Sequence, residues 1–254
     1  MEFLLADYLT ALFIFFGAIL YSSVGHGGAS AYIAIMSLMG TPILSIKPIG
    51  LVLNIIVSSI SSFRFIKNKL FSLKVFLPVV LGSVPTAFLG GYIQLSPEVY
   101  KPLVGIILLF AGLQFLFNFS KYFKIKNNKS VNPFIGILAG LIIGLLSGLT
   151  GTGGGIFLSP LILILGWTTI KGASGTAAAF ILFNSISGLL GNVASINLIP
   201  KTIFLYGFSV LLGVLIGTQV GIKILDENNV KLSAESLSNI KSPSGYLGPL
   251  LVNS

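Results

Sequence analysis

Twice along this chain a long apolar run is broken by a tight glycine cluster: Val24-Gly25-His26-Gly27-Gly28, and then Thr150-Gly151-Thr152-Gly153-Gly154-Gly155, 126 positions later. A helix interrupted inside hydrocarbon leaves backbone N–H groups without partners. Such a break survives only where surrounding protein or a water-filled cavity satisfies those groups. The feature therefore calls for a bundle of membrane-crossing helices that shelters two irregular segments.

Composition agrees with lipid as the solvent. Of 254 residues, 54% are hydrophobic and only 8% charged, too little polarity to cover a water-soluble globule. Crossing about 30 Å of hydrocarbon takes roughly 20 helical residues. Seven runs approach that length: Tyr8 to Val24, Pro48 to Phe65, Val75 to Ile93, Pro102 to Phe119, Val131 to Thr150, Ala173 to Val193 and Thr202 to Ile222. Two shorter apolar pieces, Ala29 to Met39 and Ile156 to Gly166, follow the glycine clusters and read as half-helices or, extended through their loops, as full spans. The expected fold is an all-α polytopic membrane protein of about seven full spans plus two half-helices.

The net charge of +9 does not point to nucleic acid, because the basic residues lie between the spans. Arg64, Lys67, Lys69 and Lys74 form one basic connector and Lys121, Lys124, Lys126 and Lys129 another. Both are expected on the cytoplasmic side. The first run follows only acidic charges, Glu2 and Asp7, and reads as a retained span rather than a cleaved signal peptide. With no cysteine, disulfides, thiolate catalysis and thiolate metal ligation are excluded.

An offset of 126 aligns the two glycine clusters and also Ser58-Ser59-Ile60-Ser61 with Asn184-Ser185-Ile186-Ser187. Two matches at one offset read as an internal duplication. The expected division is residues 1–120 as the first repeat, 121–132 as a basic cytoplasmic connector, 133–224 as the second repeat and 225–254 as a polar, poorly ordered tail. Transporters built from such repeats place substrate between them near the bilayer midplane. Gly136, Gly140, Gly144 and Gly148, and likewise Gly213, Gly217 and Gly221, recur at the four-residue spacing that brings helix backbones together in lipid. Their expected role is packing alone. Whether the repeats run parallel or inverted stays open at this point.

No Asp or Glu falls inside any span; between Asp7 and Asp226 the only acid is Glu98, in a connector. Carboxylate-built cation sites are thereby disfavoured. Glycine-exposed N–H groups at the start of a half-helix, with the helix dipole behind them, favour an anion instead. The candidate substrate-binding residues are Gly25, His26, Gly27, Gly28, Gly151, Thr152, Gly153 and Gly154, with Asn54, Thr176, Asn184 and Ser185 as neutral donors completing a cage. His26, the one histidine, either donates to the anion or is held neutral by backbone. Lys47 and Lys171 either draw an anion toward the site or snorkel to the interface.

Soluble motifs do not fit. The second cluster lacks the preceding strand and following acid of a dinucleotide fingerprint and the Lys-Ser/Thr of a phosphate loop. A lone histidine without a buried carboxylate offers no hydrolytic triad. No enzyme activity, cofactor or metal is expected. The expected partners are a small anion, the lipid bilayer and no nucleic acid, with a homo-oligomer left open.

The segment Gly144-Leu-Leu-Ser-Gly-Leu-Thr-Gly-Thr-Gly-Gly-Gly-Ile-Phe-Leu-Ser-Pro160, with Lys171-Gly-Ala-Ser-Gly-Thr176, Asn184-Ser-Ile-Ser-Gly188 and Val24-Gly-His-Gly-Gly28, resembles the sulfite exporter TauE/SafE family from near the N-terminus to about Ile222. The resemblance implies a multi-pass protein of the bacterial inner (plasma) membrane that moves small anions such as sulfite, sulfonates or related organosulfur anions. It also implies one more span after Ile222. The polar tail, with Asp226, Glu227 and Pro243, offers no apolar run for it, so the last family helix reads as missing. A non-transporting membrane assembly or sensory subunit, or an inactive truncated family member, is the alternative.

Overall fold

The structure, a computed structural model, describes residues 4–116 and 130–240. Its regular elements are helices: α1 (Leu5–Ser23), α2 (Ala29–Leu38), α3 (Ile43–Lys67), α4 (Leu73–Tyr92), α5 (Pro97–Leu116), α6 (Pro133–Thr150), α7 (Gly155–Ile164), α8 (Ile170–Gly191) and α9 (Ile203–Ile240), with a 3-10 turn at Val193–Leu198. Among the described residues, α1, α3, α4, α6, α8 and the Ile203–Lys223 part of α9 are long and apolar enough to cross a membrane. They coincide with six of the seven expected runs. The remaining run falls on α5, and its last residues, Phe117 to Phe119, lie outside the described residues.

Local chemistry explains where the helices begin. Asn132 accepts hydrogen bonds from the N–H groups of Phe134 and Ile135 ahead of Pro133 at the first helical position, and Thr169 accepts from Gly172 at the start of α8. These are ordinary polar caps. By contrast, α2 and α7 start from left-handed glycines, Gly28 (φ +92°) and Gly154 (φ +77°), with no side-chain cap. Each is ten residues long, about 15 Å, half the hydrocarbon thickness. The short apolar pieces are thus half-helices.

The bounds of α2 and α7 differ by 126 at both ends. Three pairs of left-handed glycines, Gly25 and Gly151, Gly28 and Gly154, and Gly40 and Gly166, stand at that same offset. Toward the C-terminus the two halves diverge. Where the first half has α4, a break and α5, the second has α9, 38 residues without interruption. At about 1.5 Å per residue it is some 57 Å long and outreaches the bilayer. Its backbone carries the helix through residues 225–240; residues 241–254 lie outside the described ones, as do 121–129 of the basic connector.

Two helix pairs meet backbone to backbone. On α6, Gly136 faces Pro78, Gly140 the Val79 carbonyl, Gly144 Ser83 and Gly148 the Ala87 carbonyl of α4. Rising together, these positions show that the two helices run parallel. On α9, Gly213 lies against Ala18, Gly217 against Ile19 and Ser22, and Gly221 against the Ser23 carbonyl of α1, again in parallel. A methyl group at any of them would overlap a neighbour, which is the packing role their spacing predicts. The third contact crosses the middle of the molecule. There Gly175 of α8 abuts Phe65 of α3 and Gly188 abuts Leu51, so α3 and α8, which share matching positions at the 126 offset, run antiparallel.

The apolar interior divides in a way the chain order does not. One core joins α1, α2, α3 and α5 with Tyr206, Val210 and Val214 of α9. The other joins α6, α7 and α8 with Val75 and Val79 of α4. Each half therefore lends one helix to the core of the other. Large apolar side chains such as Phe13, Phe16, Leu81, Ile142, Phe204 and Phe208 face outward, as a lipid-facing surface requires.

Basic residues gather where α3 ends and α4 begins. Arg64 is more than a sidedness signal, since its Nη1 donates to the Leu215 carbonyl (2.7 Å) and Thr218 Oγ1 (2.6 Å) of α9.

Candidate functional site

Both glycine loops turn toward the centre of the bundle, and each docks on the half to which it does not belong. Gly25 lies against the Ser174 backbone of α8, whereas Gly151 lies against the Lys47 backbone of α3. A Cβ at Gly25 would overlap the Ser174 carbonyl. Only a residue without a side chain permits that approach at φ +78°.

The loops converge on Asn54, which is fully buried in α3. Its Oδ1 accepts from the N–H of Ala29 at 3.1 Å, the first residue of α2. That bond orients the amide and directs Nδ2 to the other loop: a Cβ at Gly153 would stand 2.5 Å from Asn54 Nδ2, 2.8 Å from Ile181 and 3.2 Å from Ser185 Oγ. Gly27 faces Asn54 Oδ1 and the same Ile181. One asparagine thus satisfies an N–H of the first half-helix and presents a donor to the second glycine loop.

Several buried polar atoms around the loops have no hydrogen-bond partner: Asn54 Nδ2, Ser185 Oγ, Ser147 Oγ and Tyr32 OH, and the acceptor Asn184 Oδ1. Leaving a buried donor unsatisfied costs about 1–3 kcal/mol, so an accumulation of them in one region marks a place suited to a polar guest. Ser147 adjoins Gly154 and Tyr32 adjoins Gly28. Neither was singled out by the sequence pattern. Both stand one helical turn or so from a glycine cluster, and that spacing is the signal that points to them.

The remaining expected residues divide. His26 is half-buried; its Nδ1 lies 3.3 Å from the Val24 carbonyl, its ring meets Tyr21 edge-on, and it also bonds the backbone at Gly155. It ties the first loop to the start of α7. Thr152 is buried, with Oγ1 3.0 Å from Thr150 Oγ1. Asn184 is buried and donates to the Phe180 carbonyl within α8. Thr176 stands apart from the loops: its Oγ1 accepts from the Ser72 N–H at 3.1 Å, at the N-terminal end of α4. The structure brings Gly27 and Gly153 together on Asn54 and Ile181, with Ser185 beside Gly153, seats Gly25 on Ser174 and Gly151 on Lys47 farther along α8 and α3, and leaves Thr176 holding the Ser72 N–H at the start of α4.

Lys47 is buried as well, but its Nζ donates to the carbonyls of Gly90 (3.1 Å), Gly91 (2.9 Å) and Ile93 (3.0 Å). These carbonyls belong to the C-terminal end of α4, where a cation complements the helix dipole. Lys171 is half-buried in the first turn of α8. Among the described residues no three of His, Cys, Asp or Glu come together as a metal site would need.

Membrane-crossing helices, two half-helices and an uncharged polar centre between them define a membrane transporter. Residues 10–233 match the family described as "Sulfite exporter TauE/SafE", and the chain belongs to that family. It is 35% identical over 217 residues to a protein of Sinorhizobium fredii named a probable membrane transporter, covering 85% of this chain and 88% of that one. A second protein so named, from Methanocaldococcus jannaschii, is 32% identical over 137 residues, 52% of this chain and 50% of the relative. No solved structure matches.

Proposed function

We propose that this protein is a secondary carrier that exports a small anion, sulfite or a sulfonate-type organosulfur anion, across the inner (plasma) membrane. The observation that carries the reading is the meeting of Gly27 and Gly153, one from each glycine loop, on Asn54, whose Nδ2 and the Ser185 Oγ beside Gly153 both lack partners. Helix N-termini and amide or hydroxyl donors hold negative charge without a fixed counter-charge. Such a site binds an oxyanion yet lets it leave. The family description supplies the sulfur chemistry.

Binding residues in this reading are Gly25, His26, Gly27 and Gly28 from one half and Gly151, Thr152, Gly153 and Gly154 from the other, with Asn54, Ser185 and Asn184 on the walls. The matching element bounds and the antiparallel course of α3 and α8 support an inverted duplication. Because each loop rests on a helix of the opposite core, a rocking of one core against the other shifts both loops together and exposes the centre to alternate sides.

The test is thermal stability of the purified protein in detergent with sulfite, sulfate, thiosulfate, sulfoacetate, taurine and chloride. A ligand of the folded state raises the midpoint by mass action. A selective rise with one sulfur anion, lost in Asn54→Leu, is expected. A folded protein that no member of the panel stabilises would refute the anion assignment.

A further inference from the structure

Two asparagines fix the hydrogen-bonding character of the centre, and they fix it in opposite senses. Asn54 Oδ1 is held by the Ala29 N–H, so its free group is the donor Nδ2, beside Gly153. Asn184 is the reverse. Its Nδ2 donates to the Phe180 carbonyl at 2.9 Å, and turning the amide round would set oxygen against oxygen, so its free group is the acceptor Oδ1. Both residues are fully buried.

The place of Asn184 follows from what its neighbours on α8 touch. A Cβ at Gly153 would meet Ile181 and Ser185, one at Gly154 would meet Phe180, and one at Gly155 would meet Ile181. The second glycine loop therefore covers the arc of α8 that runs from Ser185 round to Phe180. Asn184 stands on that arc, one turn beyond Phe180 and Ile181. Hydroxyls such as those of Ser185 and Ser147 rotate to give or to accept a proton, whereas an amide oxygen only accepts. A buried acceptor left empty keeps its desolvation penalty. The guest suited to this centre has a proton to give as well as oxygens to be held.

Charge sets a second condition. Both α2 and α7 start at the loops, and each helix N-terminus is equivalent to roughly half a positive charge, so the two supply about one. Neither Lys47 nor Arg64 adds to it, because the ammonium sits on the end of α4 and the guanidinium on α9. Lys171 lies about 20 Å from Asn184 along α8. A single negative charge is balanced here; a second would be buried without a counterpart.

We propose that the centre selects singly charged sulfur oxyanions that carry a hydroxyl, namely hydrogensulfite or a hydroxylated sulfonate, and that Asn184 is the residue that makes the choice. Its Oδ1 accepts the hydroxyl proton while Asn54 Nδ2 and Ser185 Oγ hold the anionic oxygens. Doubly charged oxyanions, and sulfonates without a donor, are disfavoured. The proposal rests on the reading that a small sulfur anion is the cargo.

The test takes the full chain in detergent and reads the Kd of each anion from the concentration dependence of the thermal midpoint. Isethionate and ethanesulfonate have the same charge and nearly the same size and differ by one hydroxyl. Isethionate is expected to bind about tenfold more tightly. In Asn184→Leu the two should bind alike, at the affinity the unaltered protein shows for ethanesulfonate. Sulfite supplies a second arm, because raising the pH through neutrality converts hydrogensulfite to the dianion. Its apparent Kd should rise about tenfold for each pH unit on the alkaline side, while that of isethionate, whose charge is constant, stays level. The isethionate series also reads any titration of the protein itself, His26 included. Sulfate, a dianion with no proton to give, should bind more weakly than isethionate. Equal affinity for isethionate and ethanesulfonate in the unaltered protein, a sulfite affinity that does not fall with rising pH, or tighter binding of sulfate would overturn the proposal, whether or not Asn184→Leu folds. A folded protein that none of these anions stabilises refutes the anion reading itself, and that result is distinct from one in which the matched pair binds alike.

Discussion

Gly153→Ala tests the centre of the bundle with the smallest possible change, because the structure supplies controls that separate its two costs. Position 153 has φ +78°, and placing an L-residue in the left-handed region costs about 1–2 kcal/mol. The new methyl would also stand 2.5 Å from Asn54 Nδ2 and 2.8 Å from Ile181, adding roughly 1–3 kcal/mol of overpacking. Gly40 carries the first cost alone, with φ +77° and nothing within 4 Å of an added methyl. Gly27 carries the second alone, since its φ is ordinary but its methyl would meet Asn54 and Ile181. At about 2–4 °C per kcal/mol for a chain of this size, Gly40→Ala should lower the unfolding midpoint by a few degrees, and Gly153→Ala by up to twice as much or more. Anion binding, measured as ligand-induced stabilisation, should survive Gly40→Ala and fall sharply in Gly27→Ala and Gly153→Ala. Combining Gly153→Ala with Asn54→Ala relieves the overlap, so the stability losses should sum to less than their parts. The reasoning is refuted if Gly153→Ala binds anions as the unaltered protein does, or if Gly40→Ala abolishes binding equally.

Gly140→Ala should destabilise by about 1–3 kcal/mol through overlap with the Val79 carbonyl, while Gly105→Ala, with nothing within 4 Å of its methyl, should be neutral; thermal unfolding compares the two. Thr176→Val removes the acceptor for the Ser72 N–H and should cost about 1–2 kcal/mol without changing which anion stabilises the protein. Tyr100→Phe deletes the bond to the Thr150 carbonyl and should cost about 1 kcal/mol, read as a lower midpoint in the absence of any anion. Asn54→Asp sets a carboxylate between the loops and should eliminate anion-dependent stabilisation more completely than Asn54→Ala, because like charge is added to lost hydrogen bonding.

The spans and half-helices were legible because lipid imposes a length and a polarity on any helix that crosses it. The glycine stripes on α6 and α9 were legible for a similar reason: small residues every four positions have few uses besides close helix contact. What the sequence hid depended on partners far along the chain. Thr176 looks like a cage residue until Ser72, 104 positions away, takes its oxygen. Lys47 looks like an entry lysine, yet its protons are spent on the end of α4. The convergence of both loops on Asn54 was invisible because nothing matches it in the second half, where Phe180 stands at the 126 offset. The extension of α9 did leave a trace. Polar as they are, residues 223–240 contain neither glycine nor proline, and the first such breaker is Pro243.

The division of the interior bears on how such a molecule can be built and taken apart. Since α9 completes the core of α1 to α3, and α4 that of α6 to α8, the units that hold together are not the units written in the sequence. Severing the chain between residues 121 and 129 would yield two polypeptides, each missing the helix that seals it and each carrying one that belongs elsewhere. During synthesis the first core waits, unsealed, until the ribosome has delivered α9. Without α9 the first half has an open seam along α1, the face that the glycines of α9 cover in the complete molecule.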